Sequence, residues 1–136
     1  MKDLHNIIKP VRVLSPAAAG TTGTKTGQIV DMAGFGSVEF IIASGAQTTT
    51  GITVTPVVKS GSATNALTSC ADTVLLGTEA EAAADLAGAA GANAVTKIGY
   101  SGKDRYVQCS LVVAGAATGI YSVTAIKGSP RKQPTT

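Results

Sequence analysis

Residues Ala94–Val113 read AVTKIGYSGKDRYVQCSLVV, and the layout of this stretch decides the fold. Val107, Cys109, Leu111 and Val113 fall on one side of an extended chain, with Tyr106, Gln108 and Ser110 on the other. Strict alternation of this kind marks a β-strand with one face in a core. Upstream, an apolar run ends at Tyr100, and Ser101-Gly102-Lys103-Asp104 is a polar turn signal. The stretch predicts a β-hairpin, with Tyr100 and Tyr106 flanking the turn and pairing across the ladder.

Toward the C-terminus, Tyr121, Val123 and Ala125 alternate with Ile120, Ser122, Thr124 and Ile126, which predicts a last strand over Gly119–Lys127. Residues 128–136, with Pro130 and Pro134, read as an exposed tail. Upstream of the hairpin, Glu79–Leu86 has the composition of a short helix, with Thr78 as N-cap and Glu79 and Glu81 near its positive end. Asp72–Leu76 is a short strand or extended segment.

Thr49–Lys59 predicts a strand in which Ile52, Val54 and Val58 share one face. Pro56 cannot donate to a ladder, so this strand lies at an edge or carries a bulge. Ser37–Ala43 predicts another, with Val38, Phe40 and Ile42 inward and Phe40 as a principal core anchor. Gln28–Met32 is a shorter one, with Asp31 and the run Ala33-Gly34-Phe35-Gly36 making the turn after it. A first strand through Val11, Val13 and Leu14 ends at Ser15-Pro16, and Ala17–Thr26 reads as a small-residue loop. Residues 1–9 form an arm, 10–127 a single domain and 128–136 the tail.

These six to eight strands, with at most one short helix and no βαβ alternation, predict an all-β antiparallel sandwich or jelly roll. At 136 residues one core buries roughly two-thirds of the unfolded surface. Charged residues make up 14% of the chain, against about 25% in an average globular domain. Ala, Gly, Thr and Ser fill the difference, and Trp is absent. A surface of small, nearly neutral groups suits a protein that meets other subunits. The alternative is a thin-cored β-protein with a Thr/Ser-rich skin.

The net charge of +3 is too small to imply nucleic acid, and the few aromatics are not interleaved with basic residues. The basic excess gathers at Lys127, Arg131 and Lys132. Charges at Lys2, Asp3, Lys9 and Arg12, with Pro10, argue against a signal peptide. No run approaches the ~18 apolar residues of a membrane span. Cys70 and Cys109 are expected as free thiols in a chain made in a reducing compartment.

Residues that carry chemistry are scarce. The only histidine, His5, sits beside Asp3 and Asn6 and reads as solvated or capping. One His and two distant Cys supply no metal spacing, and no G-x-S-x-G elbow precedes a serine. Glu81 and Asp85 fall on one face of the predicted helix, which is read as a solvated face. Neither a cofactor nor a catalytic residue is expected. The three tyrosines are a thin basis for a sugar site. Arg105, beside Asp104, is the most suggestive polar group. It suits a bidentate clamp on a carboxylate across an interface, or is an ordinary charge where a strand begins. With Tyr100 and Tyr106 it forms the candidate interface set.

The segments DLHNIIKPVRVLSPAAAGTTGTKTGQIVD, GFGSVEFIIASG, LLGTEA and KIGYSGKDRYVQCSLVV together resemble a group of small structural proteins of tailed bacteriophages and prophages. The likeness runs from Asp3 to about Val113. Such proteins are usually found among head genes, near the major capsid protein. The resemblance implies a virion component and no enzyme, and transfers no site residue. With the small size and β-fold, it points to a capsid cement or decoration protein. Such a protein would be made in the host cytoplasm and would sit on the capsid exterior. Its expected partners are the major capsid protein and its own copies, as a homodimer or homotrimer, with no specific nucleic acid and no membrane. The alternatives are another virion part (head-completion, tail or fibre-base) and a carbohydrate or host-surface binding module.

Overall fold

The computed structural model describes residues 3–48 and 50–133. Ten strands and one α-helix follow in order: β1 Lys9–Gly20, β2 Gly23–Lys25, β3 Ile29–Asp31, β4 Phe35–Ser44, β5 Thr53–Gly61, β6 Thr68–Ser69, β7 Leu75–Leu76, α1 Glu79–Asp85, β8 Val95–Tyr100, β9 Tyr106–Ala114 and β10 Ala117–Pro130. They build two antiparallel sheets, one ordered β1-β10-β4-β8-β7 and the other β2-β9-β5-β6 with β3 also on β9. The sheets pack face to face as an all-β sandwich. Four of the strands have only two or three residues, which is why the sequence suggests fewer.

Alternation fills the space between the sheets as the sequence predicts. Val38, Phe40 and Ile42 of β4, and Val123 and Ala125 of β10, face Val54 and Val58 of β5 and Val107, Cys109, Leu111 and Val113 of β9. Phe40 is fully buried.

The predicted hairpin is overturned. β8 pairs with β4 and β7, whereas β9 pairs with β5, β2 and β3. Residues 101–105 therefore arch from one sheet to the other. Alternation gives each strand one buried face whether the next strand lies beside it or opposite it, so both geometries share one sequence pattern. Tyr100 folds into the arch and accepts the Asp104 N–H at 3.2 Å on its phenol oxygen. A Cβ at Gly102 would run into the Tyr100 ring. Tyr100 and Tyr106 consequently do not pair across a ladder; Tyr106 stands opposite Asp31 and Gly61.

Three boundaries also move. The first strand does not stop at Ser15-Pro16. Its register shifts between Leu14 and Ala17, and the pairing resumes at Ala17 opposite Tyr121. A bulge thus absorbs the proline that would otherwise interrupt the ladder. Much of the predicted 17–26 loop is strand. At the other end, Gly128 and Pro130 continue β10 opposite Ser37 and Phe35, so the tail begins later than predicted. Among the arm residues, Asp3 accepts the Asn6 backbone N–H at 3.1 Å in a turn, and Lys9 already belongs to β1. Thr49, predicted to start the fourth strand, lies outside the described residues, as do positions 1, 2 and 134–136.

Both seams of the sandwich are closed. On one side Gln28 donates from its backbone to Val13 of β1 at 2.9 Å, while Gly27 donates to Ser110 Oγ of β9 at 3.2 Å. On the other, α1 bridges the sheets. Its capping box joins Thr78 and Glu81, as the predicted N-cap requires. Glu79 Oε1 accepts the backbone N–H of Val58 on β5 at 2.7 Å, and Asp85 Oδ2 accepts from Thr96 Oγ1 on β8 at 2.8 Å. Pro56 pairs with β9 at Leu111, but β6 reaches only Lys59 and Ser60. Pro56 is thus on an edge, as expected. It turns the same way as Val58 and leaves no N–H there to be unpaired.

Candidate interaction site at one end of the sandwich

The sequence-nominated Tyr100, Arg105 and Tyr106 come together at the end of the sandwich where the 101–105 arch meets the β3–β4 turn. An open cleft of about 470 Å³ lies there, lined by Met32–Gly36, Tyr100, Gly102–Arg105 and Arg131. Tyr100 is a buried wall. The Arg105 guanidinium sits 5.1 Å from the centroid of the Tyr106 ring, within cation–π range.

Arg105 forms a bidentate clamp, and the carboxylate it holds belongs to its own chain. Nε donates to Asp31 Oδ1 at 2.9 Å and a terminal nitrogen to Oδ2 at 2.8 Å. The expected clamp across an interface is in this structure an internal pair between β3 and the arch. Asp31 also accepts from the Ala33 backbone at 2.9 Å. The Arg105 fork, then this N–H, hold the Asp31 carboxyl at about 2 against an ordinary 3.8, and raise the guanidinium in return.

Backbone bonds pin the rest of the frame. Met32 N donates to Arg105 O at 2.8 Å and Arg131 N to Gly34 O at 2.9 Å. Lys127 Nζ donates to Asp31 O at 3.0 Å and lies 4.3 Å from the Phe35 ring centroid. Burial, with Lys9 adding repulsion, lowers the Lys127 ammonium below its usual value.

The charge at this end is one-sided. Among the residues lining the cleft, Lys103, Arg105 and Arg131 stand against Asp104, and Lys127 lies beside Asp31 at its edge. Lys9, opposite Lys127 in the β1–β10 register, adds to it.

The groups considered for chemistry lie elsewhere, each in a structural setting. Glu81 and Asp85 are exposed, as the solvated-face reading expects, and with the half-buried Glu79 they also serve as the helix-cap and seam acceptors already described. His5 is exposed. Cys70 and Cys109 are free thiols. Burial pushes the Cys109 thiol up to about 12 and raises that of Cys70, so neither is an activated nucleophile. Cys70 Sγ donates to Ser60 Oγ at 3.4 Å, and Ser60 Oγ donates to Asp104 Oδ2 at 2.6 Å. The negative charge of Asp104 at the end of this relay, with that of Glu79, adds to burial in disfavouring the Cys70 thiolate.

A second hollow, about 100 Å³ and apolar, sits under the β1 bulge against Leu111, Val113 and Tyr121. It is smaller than the roughly 300 Å³ at which ligand pockets begin. Among the described residues no group of three His, Cys, Asp or Glu is placed to hold a metal, and no helix is long and apolar enough to cross a membrane.

Local sequence brings Tyr100, Arg105 and Tyr106 together. Sequence reasoning did not place Asp31, Phe35 and Lys127 at the site. The usable signal was the Asp-Met-Ala-Gly turn after β3, where an Asp folds onto its own backbone and presents its carboxylate. No family model matches this chain, and no curated protein matches its sequence.

Proposed function

We propose that the protein is a virion structural component, a cement protein that binds the outside of an assembled capsid lattice and stabilises it. The supporting observation is that basic groups outnumber acids around the cleft on one open, internally pinned end of the sandwich. Such an end suits docking onto an acidic surface, with charge steering the approach and rigidity limiting the entropy lost on contact. The resemblance to head-gene proteins of tailed phages supplies the identity of that surface, the major capsid protein. A ligand that binds only the assembled lattice stabilises it by mass action, and many weak copies add up over a shell.

The test is to add the purified protein to heads that lack it. The expected result is saturable binding at a copy number comparable to the capsid protein, weakened by salt, with heads that withstand more heat. Charge reversal at Lys103 and Arg131, both at the cleft, should weaken binding while leaving unfolding of the free protein unchanged. Absence from the particle, or a copy number fitting one vertex or a tail ring, would overturn the cement role.

A further inference from the structure

The two outer faces of the sandwich differ in character. On the β2-β9-β5-β6 sheet the outward positions are mostly polar, Thr24, Thr53, Thr55, Lys59 and Gln108, with Val57 and Val112 among them. On the other sheet they include Ile41 and Ala43 of β4, Ile120 and Ile126 of β10 with Ser122 and Thr124 between them, Val95 of β8 and Leu76 of β7. Val95, Leu76 and Ile120 are 68%, 55% and 50% exposed. Aliphatic groups this exposed on one sheet face, on either side of the Ser122 and Thr124 positions, mark a contact surface.

Near the middle of this face two opposite charges lie close together, with Arg12 further out on the edge strand β1, opposite Thr124. Glu39 stands opposite Gly99 and Ile41 opposite Lys97, so Glu39 and Lys97 are diagonal neighbours on adjacent strands with Ile41 beside both. A Cβ at Gly99 would meet the Glu39 carboxylate and the Leu76 side chain, so the acid lies low against apolar groups. Its partial burial raises the Glu39 carboxyl, and Lys97 opposes that shift.

We propose that two copies of this chain meet back to back through the outer face of the β1-β10-β4-β8-β7 sheet, about a two-fold axis passing beside Ile41. That axis sets Glu39 of each copy over Lys97 of the partner subunit and packs Ile41 against its own equivalent. A two-fold interface must be complementary to itself. An acid and a base related by one axis meet that condition, whereas a partner of single sign would leave one of them facing like charge. The basic cleft has the opposite property, since it repels its own copy and selects an acidic surface. The aliphatic residues provide the area, and the crossed pairs fix the register. This inference goes beyond the capsid role, because it concerns the free protein.

Sedimentation equilibrium of the full chain tests it. The native protein should show a dimer mass that dissociates on dilution. Val95→Asp, at an exposed site the fold does not need, should weaken the dimer on the order of tenfold or more. Glu39→Lys and Lys97→Glu should each be monomeric alone, because each sets like charges against each other in both crossed pairs. An equimolar mixture of the two should recover the dimer mass. A native protein that stays monomeric at every concentration would overturn the proposal. So would a dimer unchanged by Val95→Asp, or a mixture no heavier than its components. Circular dichroism of each variant confirms that the sandwich is intact.

Discussion

Arg105 holds Asp31 through two parallel hydrogen bonds of 2.9 and 2.8 Å across 74 positions of sequence, fastening the arch between the sheets to the end of β3. Both side chains are about half exposed, so water and salt screen the pair and its stability contribution is small. Its pH dependence has a definite sign. The Asp31 pKa is depressed in the folded protein, so its contribution is complete above the ordinary value of 3.8 and is lost as pH falls toward about 2. Urea unfolding of native protein and Asp31→Asn should differ slightly at neutral pH, and the difference should close between pH 4 and pH 2. A gap that persists at the acid end would contradict the ion pair.

Phe40 and Leu111 face each other's sheets from β4 and β9, both almost wholly buried. Truncation to Ala removes their packing and leaves a cavity, so each should cost about 2–5 kcal/mol in chemical denaturation. A loss below about 1 kcal/mol would mean that the face assignment of that strand is wrong.

Glu79 joins α1 to the edge of β5 through the Val58 N–H. Glu79→Ala leaves that amide without its acceptor and should destabilise by about 1–3 kcal/mol. Glu79→Gln keeps a carbonyl oxygen at the same reach and should lose less. Equal losses in the two variants would show that the charge matters and the hydrogen bond does not.

The thiols should separate by burial. Cys109 is enclosed in the core while Cys70 is half-buried beside Ser60. An aromatic disulfide reagent at neutral pH should label Cys70 slowly and Cys109 only on unfolding. Fast labelling of two thiols per native chain would contradict the core packing around β9.

Much of the sandwich is legible from periodicity. The buried faces of β4, β5, β9 and β10, the Thr78 cap and the place of Pro56 at the margin of its ladder all rest on local chemistry that the chain displays openly. Strand partnership does not. The Val95–Tyr100 strand has the same alternation whether it folds back on Tyr106–Ala114 or faces it across a core, and only long-range packing decides. The interaction site divides the same way. Tyr100, Arg105 and Tyr106 lie within seven positions of sequence and could be nominated together. Phe35 and Arg131 reach the cleft, and Asp31 and Lys127 its edge, from remote strand ends, which no local pattern announces.

The bridge made by α1 has a kinetic consequence. It has seven residues, too few to persist as an isolated helix in water, so it lasts only while docked on both sheets. Fraying of that short lid is the cheapest way to bare the outer rim of β5, and the Val58 amide should exchange with solvent deuterium ahead of the amides bonded between β5 and β9. With Pro56 offering no donor on that rim, even the frayed state is a poor template for a foreign strand, and the chain is guarded against fibre growth at its least protected margin.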